Sequence, residues 1–201
     1  VDLGPGDGSL SQDILKTSKK FKKFYNSLEI KLFEISNKLK KIQRNKIKNK
    51  KVEWIDSIEQ LKDGPIIFIG NEFFDSLPIK QIYRKREIFF EKYIVLKNNK
   101  NIKIKLKKLK KIFTDKIRNV NLKSFKNPVE YPFQGIKYLE KIAKKINKFD
   151  GALLIIDYGY LKNGNGSTLQ SVKNHSYEKI LSNPGNADIT SHINFKLFEK
   201  I

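Results

Sequence analysis

The chain opens on Val1-Asp2-Leu3, followed by Gly4-Pro5-Gly6-Asp7-Gly8-Ser9-Leu10. A short apolar run, an acid and three glycines at alternate positions mark a strand turning into a helix. Glycine suits such a turn because it accepts positive φ and lets the backbone approach a ligand that a Cβ would push away. The spacing is G-x-G-x-G. The dinucleotide fingerprint needs a third glycine at position 9, and Ser9 stands there.

The rest of the chain alternates strand and helix patterns. Ser9 to about Phe24 has apolar residues at helical spacing, with lysines facing water. Ile30 to Ile35 reads as a strand, and Ser36 caps a basic helix running to about Lys48. Val52 to Ile55 is a short strand around Trp54. Ile66 to Ile69 and Ala152 to Ile156 are continuous apolar runs, as expected for strands buried on both faces. Phe133 to Ile146 predicts an amphipathic helix through Ile136, Leu139, Ile142 and Ile146. Residues 79–107 differ: they cluster β-formers around polar turns such as 97–100 and predict an antiparallel ribbon, inserted or at a sheet edge. Residues 107–127 are lysine-rich and poorly patterned, and 162–167 has the composition of a flexible loop. The fold class expected is α/β: a Rossmann-like core with a mostly parallel sheet, helices on both faces and the ribbon added.

A length of 201 residues suits one domain, here taken as 1–201 with its β insertion at 79–107. The absence of methionine, with Val1 in an apparent strand, points to a piece of a longer polypeptide lacking N- and C-terminal parts. The absence of cysteine excludes disulfides and thiolate metal sites. No run of 18 apolar residues exists, so no transmembrane helix is expected. The net charge of +21 raises the question of nucleic acid. Only Arg44, Arg84, Arg86 and Arg118 are arginines, however, and arginine is the usual reader of bases and phosphates. The balance disfavours a nucleic-acid partner.

Polar residues fall at four strand ends: Asp2 to Gly8, Glu34, Asn71-Glu72 and Asp157-Tyr158. In an open α/β sheet, ligands bind outside the carboxyl ends of the strands. With Ser9 replacing the last fingerprint glycine, the expected cofactor shifts from a nicotinamide to S-adenosylmethionine (SAM). Gly4, Gly6 and Gly8 would cradle its amino-acid end. Asp2 would orient that loop or meet the ammonium, and Glu34 could accept both hydroxyls of a ribose. Asn71 and Glu72 could hold the nitrogen that receives a methyl group.

Five segments carry a family resemblance: VDLGPGDGSLSQDIL at 1–15, FEIS at 33–36 with Leu39 and Gln43, NEFFDSLPIKQ at 71–81, GALLIIDYGY at 151–160 and the block at 168–195. They resemble the MidA/DUF185 family of SAM-dependent methyltransferases, whose mitochondrial members assist assembly of respiratory complex I. The resemblance implies symmetric dimethylation of an arginine on the 49-kDa-type subunit, with no metal. A guanidinium is cationic and a poor nucleophile, so it must be gripped, aligned and relieved of a proton. Glu72 and Asp75 are candidates for the grip, with Asn71 beside them; Asp75 could equally cap the next helix. Asp157 and Tyr158 are candidates on the substrate side. His175 and His192 could orient substrate or accept a proton, or serve structure alone.

The sequence departs from the family at Asp2 (usually Glu), Asp7 (usually Arg or Lys) and Asn194 (usually Asp). The alternatives are a non-catalytic SAM-binding assembly factor and, third, an RNA methyltransferase. The ribbon is expected to contribute to substrate recognition. The location expected from composition is a bacterial cytoplasm, with a mitochondrial matrix as the alternative.

Overall fold

A computed structural model describes residues 1–97, 101–111, 113–114, 128–161, 166–182 and 184–200. The expected turn at 98–100, most of the lysine-rich stretch at 107–127 and the loop residues 162–165 lie outside the described residues. In chain order, the first elements are β1 (Asp2–Leu3), α1 (Ser9–Ser18), α2 (Lys22–Ser27), β2 (Ile30–Phe33), α3 (Asn37–Lys46), β3 (Val52–Ile55) and β4 (Ile66–Asn71). Then come β5 (Lys80–Lys85), β6 (Ile88–Lys97), β7 (Asn101–Lys108), β8 (Val129–Tyr131), α4 (Phe133–Phe149) and β9 (Gly151–Ile156). The last are β10 (Gly159–Tyr160), β11 (Gln170–Lys173), β12 (Ser176–Glu178), β13 (Asp188–Thr190), β14 (Ile193–Asn194) and α5 (Phe195–Phe198). The chain forms two compact units: Val1–Phe73 with Glu140–Asp157, and Phe74–Leu139 with Tyr158–Ile201.

The first unit holds a five-stranded sheet in the order β3-β2-β1-β4-β9, and every pairing in it is parallel. Parallel neighbours need crossovers, which α1 with α2 and α3 supply on the β2 side. A buried cluster of Leu15, Ile30, Leu32, Ile47 and Val52 seats these helices on the sheet. The second half of α4 carries fully buried Ile142 and is tied to the segment before β4. Lys141 pairs with Glu59 at 2.6 Å, and Lys145 Nζ donates to the Leu61 carbonyl at 2.8 Å.

The second unit holds the antiparallel sheet β7-β6-β5-β8, the three-stranded sheet β12-β11-β13 and the parallel pair β10-β14. Its core gathers Ile82, Phe89, Val129, Tyr131, Ile136 and Leu197. The expected ribbon is therefore real, but it belongs to a sheet of its own, which β8 completes.

Three expectations need correction. The first helix does not run to Phe24; it stops at Ser18 and restarts at Lys22. The Ser18 hydroxyl bonds back to the Leu15 carbonyl, and Lys20 and Phe21 close short turns onto Thr17 and Ser18. The second strand ends at Phe33, not Ile35, because Glu34 turns the chain into the Ser36 cap. Strands β4 and β9 are not buried on both faces. Phe68 is fully buried, whereas Ile67, Leu154 and Ile156 are exposed by 61, 51 and 49%. Successive strand residues point to opposite faces, so an apolar run supplies two apolar faces, and only one is covered among the described residues.

Candidate cofactor site at the carboxyl edge of the parallel sheet

The glycine loop leaves β1 and enters α1 through three left-handed residues: Gly4 at φ 64°, Gly6 at 56° and Gly8 at 85°. The three differ in what they face. A Cβ on Gly4 would stand 2.9 Å from the Phe73 ring, and one on Gly8 2.8 Å from Ile47 Cδ1. A Cβ on Gly6 would meet nothing within 4 Å. A Cβ at Gly4 or Gly8 would thus crowd a packed side chain, whereas one at Gly6 would enter open space. Phe73 itself is held edge-on to Phe33, with ring centres 6.1 Å apart.

Asp7 closes the loop onto α1 and α3. Its carboxylate accepts from the Ser9 backbone N–H and hydroxyl, each at 2.9 Å, and from Lys46 Nζ at 2.6 Å. The hydrogen bond from Lys46, aided by Ser9, holds the Asp7 carboxyl well below the usual carboxylate range. An acid there satisfies the first turn of α1, which has no other side-chain cap.

Glu34 follows β2, the strand next to β1, and is 6% exposed. One oxygen accepts from the Ser36 N–H at 2.7 Å and the other from Gln43 Nε2 at 3.3 Å. Each oxygen keeps a further lone pair, which suits the diol expected from the sequence. Gln43 has no exposure and joins three parts of the unit. Its Nε2 donates to the Gly6 carbonyl at 2.7 Å as well as to Glu34, and its Oε1 accepts from Trp54 Nε1 at 2.8 Å. Sequence reasoning assigned Gln43 no role. Its signal in the sequence was its place, with Leu39, in the segment that carries the family resemblance, at the seventh position of α3. Trp54 packs beside the apolar cluster under the Arg44 guanidinium, 5.1 Å from its ring centre.

Asn71 ends β4, and exposed Glu72 follows at φ 50° with its N–H on the Ile156 carbonyl. A left-handed glutamate is uncommon, and such strain gathers at functional sites. Asp157 follows β9, the neighbour of β4, and is half-buried. The first unit therefore brings Gly6, Glu34, Asn71, Glu72 and Asp157 to the carboxyl edge of one parallel sheet. Asp2 lies within the strand instead. It is 4% exposed, and the Ser11 hydroxyl donates to it at 2.6 Å. Burial raises its pKa, and the Ser11 bond opposes that rise. A cavity of about 470 Å³ opens near the amino ends of β2 and β4, lined by Leu28, Pro65, Ile67 and Asp2. Gly6, Glu34, Asn71, Glu72 and Asp157 do not line it, so geometry separates it from the candidate site.

The remaining candidates lie in the second unit. Asp75 is buried, and its carbonyl accepts from Ser191. Tyr158 is 61% exposed, and its carbonyl accepts from Ile193. Asn174 and His175, both left-handed, form the two-residue turn between β11 and β12, with His175 exposed. His192 is exposed, and its N–H donates to Thr168 Oγ1. Asn194 caps α5 through Oδ1, bonded to the Leu197 N–H at 3.0 Å. No cluster of three or more His, Cys, Asp or Glu residues that could hold a metal exists among the described residues.

A parallel α/β sheet with a glycine loop and a buried acid at its carboxyl edge is the architecture of nucleotide-cofactor proteins. Residues 1–201 match the family described as "Putative S-adenosyl-L-methionine-dependent methyltransferase", and the chain belongs to that family. The chain is 28% identical over 227 residues to "Protein arginine methyltransferase NDUFAF7, mitochondrial" of Xenopus tropicalis, covering all of this chain and 52% of that protein. It is 24% identical to the Homo sapiens protein of that name, covering all of this chain and 51% of the relative. In fold it is similar to a COG1565 superfamily member from Burkholderia thailandensis bound to S-adenosyl-homocysteine. That match has a TM-score of 0.78 at 16% identity, over 99% of this chain and 53% of the other. The chain thus spans about half the length of the relatives it matches.

Proposed function

We propose that this chain forms the SAM-binding core of a protein arginine methyltransferase. Gly6 carries the reading: left-handed, bare toward open space, and held through Gln43 in one network with the buried acid Glu34. The residues fit the cofactor. The Gly4–Gly8 loop would meet its amino-acid end, and Glu34 its ribose. When bound, SAM supplies a methyl group on a sulfonium, activated for displacement by a nitrogen.

The chain's own residues would prepare that nitrogen. A guanidinium stays protonated in water, so it needs a carboxylate partner to position it and to take the proton shed on methylation. Glu72, exposed and left-handed at the end of β4, has the placement for this, with Asn71 as a neutral partner. Asp75 and the histidines at 175 and 192 remain candidates, each tested by its own amide or alanine substitution. By resemblance, the substrate is an arginine of a 49-kDa-type complex I subunit, and the location follows that substrate: mitochondrial, as the relatives are named, or a bacterial cytoplasm. The non-catalytic alternative drew on the loss of Asp at position 194. Asn194 caps a helix, which either residue type can do.

The test is calorimetry of SAM binding to wild type, Gly6→Val and Glu34→Ala. Micromolar binding lost in both variants supports the cofactor site. Methylation of the purified complex I subunit, lost in Glu72→Ala while SAM binding persists, supports the assigned reaction. Absence of SAM binding to the wild type would refute the enzyme reading.

A further inference from the structure

The β6–β7 ribbon has two unlike faces. Strand β5 pairs with β6 only as far as Glu91, so the part beyond is paired with β7 alone. Along it, Lys92 faces Leu106, Ile94 faces Ile104 and Leu96 faces Ile102. These rungs lie on one side of the pleat. Their aliphatic side chains are open to solvent: Ile94 by 56%, Leu96 by 62%, Ile102 by 40%, Ile104 by 58% and Leu106 by 38%. The other side carries Tyr93 and Val95 opposite Lys105 and Lys103.

A contiguous aliphatic ladder on a two-stranded ribbon is costly unless something covers it. Charge and composition select the cover. Between Ile88 and Lys111 the sequence has nine lysines, one glutamate and no arginine. Protein interfaces are depleted in lysine and enriched in arginine and aromatic residues, and nucleic-acid readers favour arginine. Lysine with aliphatic residues is the pairing that anionic lipid surfaces attract: apolar side chains enter the acyl boundary, and the charges act over roughly a Debye length of 8 Å. Lys108 stands exposed on the ladder's own face at its base, where its long stem can lift the ammonium to headgroup level, while Lys92 on the same face donates to Gln81 Oε1 at 2.8 Å. Edge lysines Lys103 and Lys105 also discourage a further strand from adding to β7, which leaves the face, not the edge, for docking.

We propose that the β6–β7 ribbon lays its aliphatic face on an anionic lipid surface. This is independent of the methyltransferase reading. The test is flotation of the full chain with phosphatidylcholine vesicles, with and without phosphatidylglycerol. Two variants are compared with wild type: Ile94→Thr with Ile104→Thr, and Lys103→Gln with Lys105→Gln. All four side chains are exposed, so melting should not change. Wild type is expected to float with the anionic vesicles only. The lysine variant should bind roughly thirtyfold more weakly, and the isoleucine variant about tenfold more weakly. No wild-type binding to anionic vesicles overturns the proposal, as does undiminished binding in either variant. Capture by polyglutamate or RNA without vesicle binding would assign the ribbon to a polyanion and overturn it too.

Discussion

The side-chain amide of Gln43 donates to the carbonyl of Gly6 at 2.7 Å, from a position with no solvent exposure. One buried amide thereby fixes the loop, the acid Glu34 and the indole of Trp54 relative to each other. Gln43→Leu keeps much of the volume but leaves the Gly6 carbonyl and the Trp54 N–H without these partners. Both groups are only part-buried, so each lost hydrogen bond costs about 0.5–1.5 kcal/mol. The variant should melt lower by several degrees and bind SAM at least tenfold more weakly, by thermal denaturation and calorimetry.

The three loop glycines should separate by measurement. Gly8→Ala forces a Cβ against Ile47 and strains a φ of 85°, so it should destabilise by about 2–3 kcal/mol. Gly6→Ala meets no atom and should cost only about 1 kcal/mol of backbone strain. Yet Gly6→Ala should weaken SAM binding more than its small effect on denaturant midpoint suggests. Equal losses of stability in the two variants would count against the assignment.

In the second unit, buried Glu130 is the acceptor for Gln81 Nε2 at 2.8 Å, the Thr168 N–H at 3.0 Å and the Leu169 N–H at 3.1 Å. Burial, followed by the nearby Glu130 charge, pushes the Tyr160 hydroxyl up to about 12. Glu130→Ala orphans two backbone donors and an amide, and should destabilise by about 3–5 kcal/mol. Limited proteolysis should then cut first around residues 166–170. Tyr160 should titrate closer to its ordinary value, read by ultraviolet absorbance.

Asp2 gives a pH signature of unusual sign. Burial raises its folded pKa above the unfolded value of 3.8, so the folded chain holds its proton longer. Folding is then favoured at low pH, and that contribution is lost as pH rises from the unfolded value through the folded one. Asp2→Asn, which still accepts from Ser11, should be more stable than wild type near pH 7. The difference should vanish below about pH 3.8. A constant difference across the range would show that burial does not perturb the group.

The parallel core, the glycine loop, Glu34 and the Ser36 cap were legible in the sequence, because each is a local signal. Apolar periodicity names strands and helices, and glycine spacing or a capping serine names a turn. The antiparallel ribbon was legible for the same reason, through its β-formers and polar turns. The short strands from β10 to β14 were not, because runs of two to four residues carry too little periodicity. What only the tertiary structure decided depends on neighbours distant in the chain. Residue 47 crowds a Cβ at Gly8, and residue 73 crowds one at Gly4, leaving Gly6 alone of the three with open space there. Gln43 belonged to a segment of the family resemblance but had no assigned role until folding buried it against the loop. Likewise, an apolar run can show that β4 and β9 are strands, but whether each face is covered depends on what packs there.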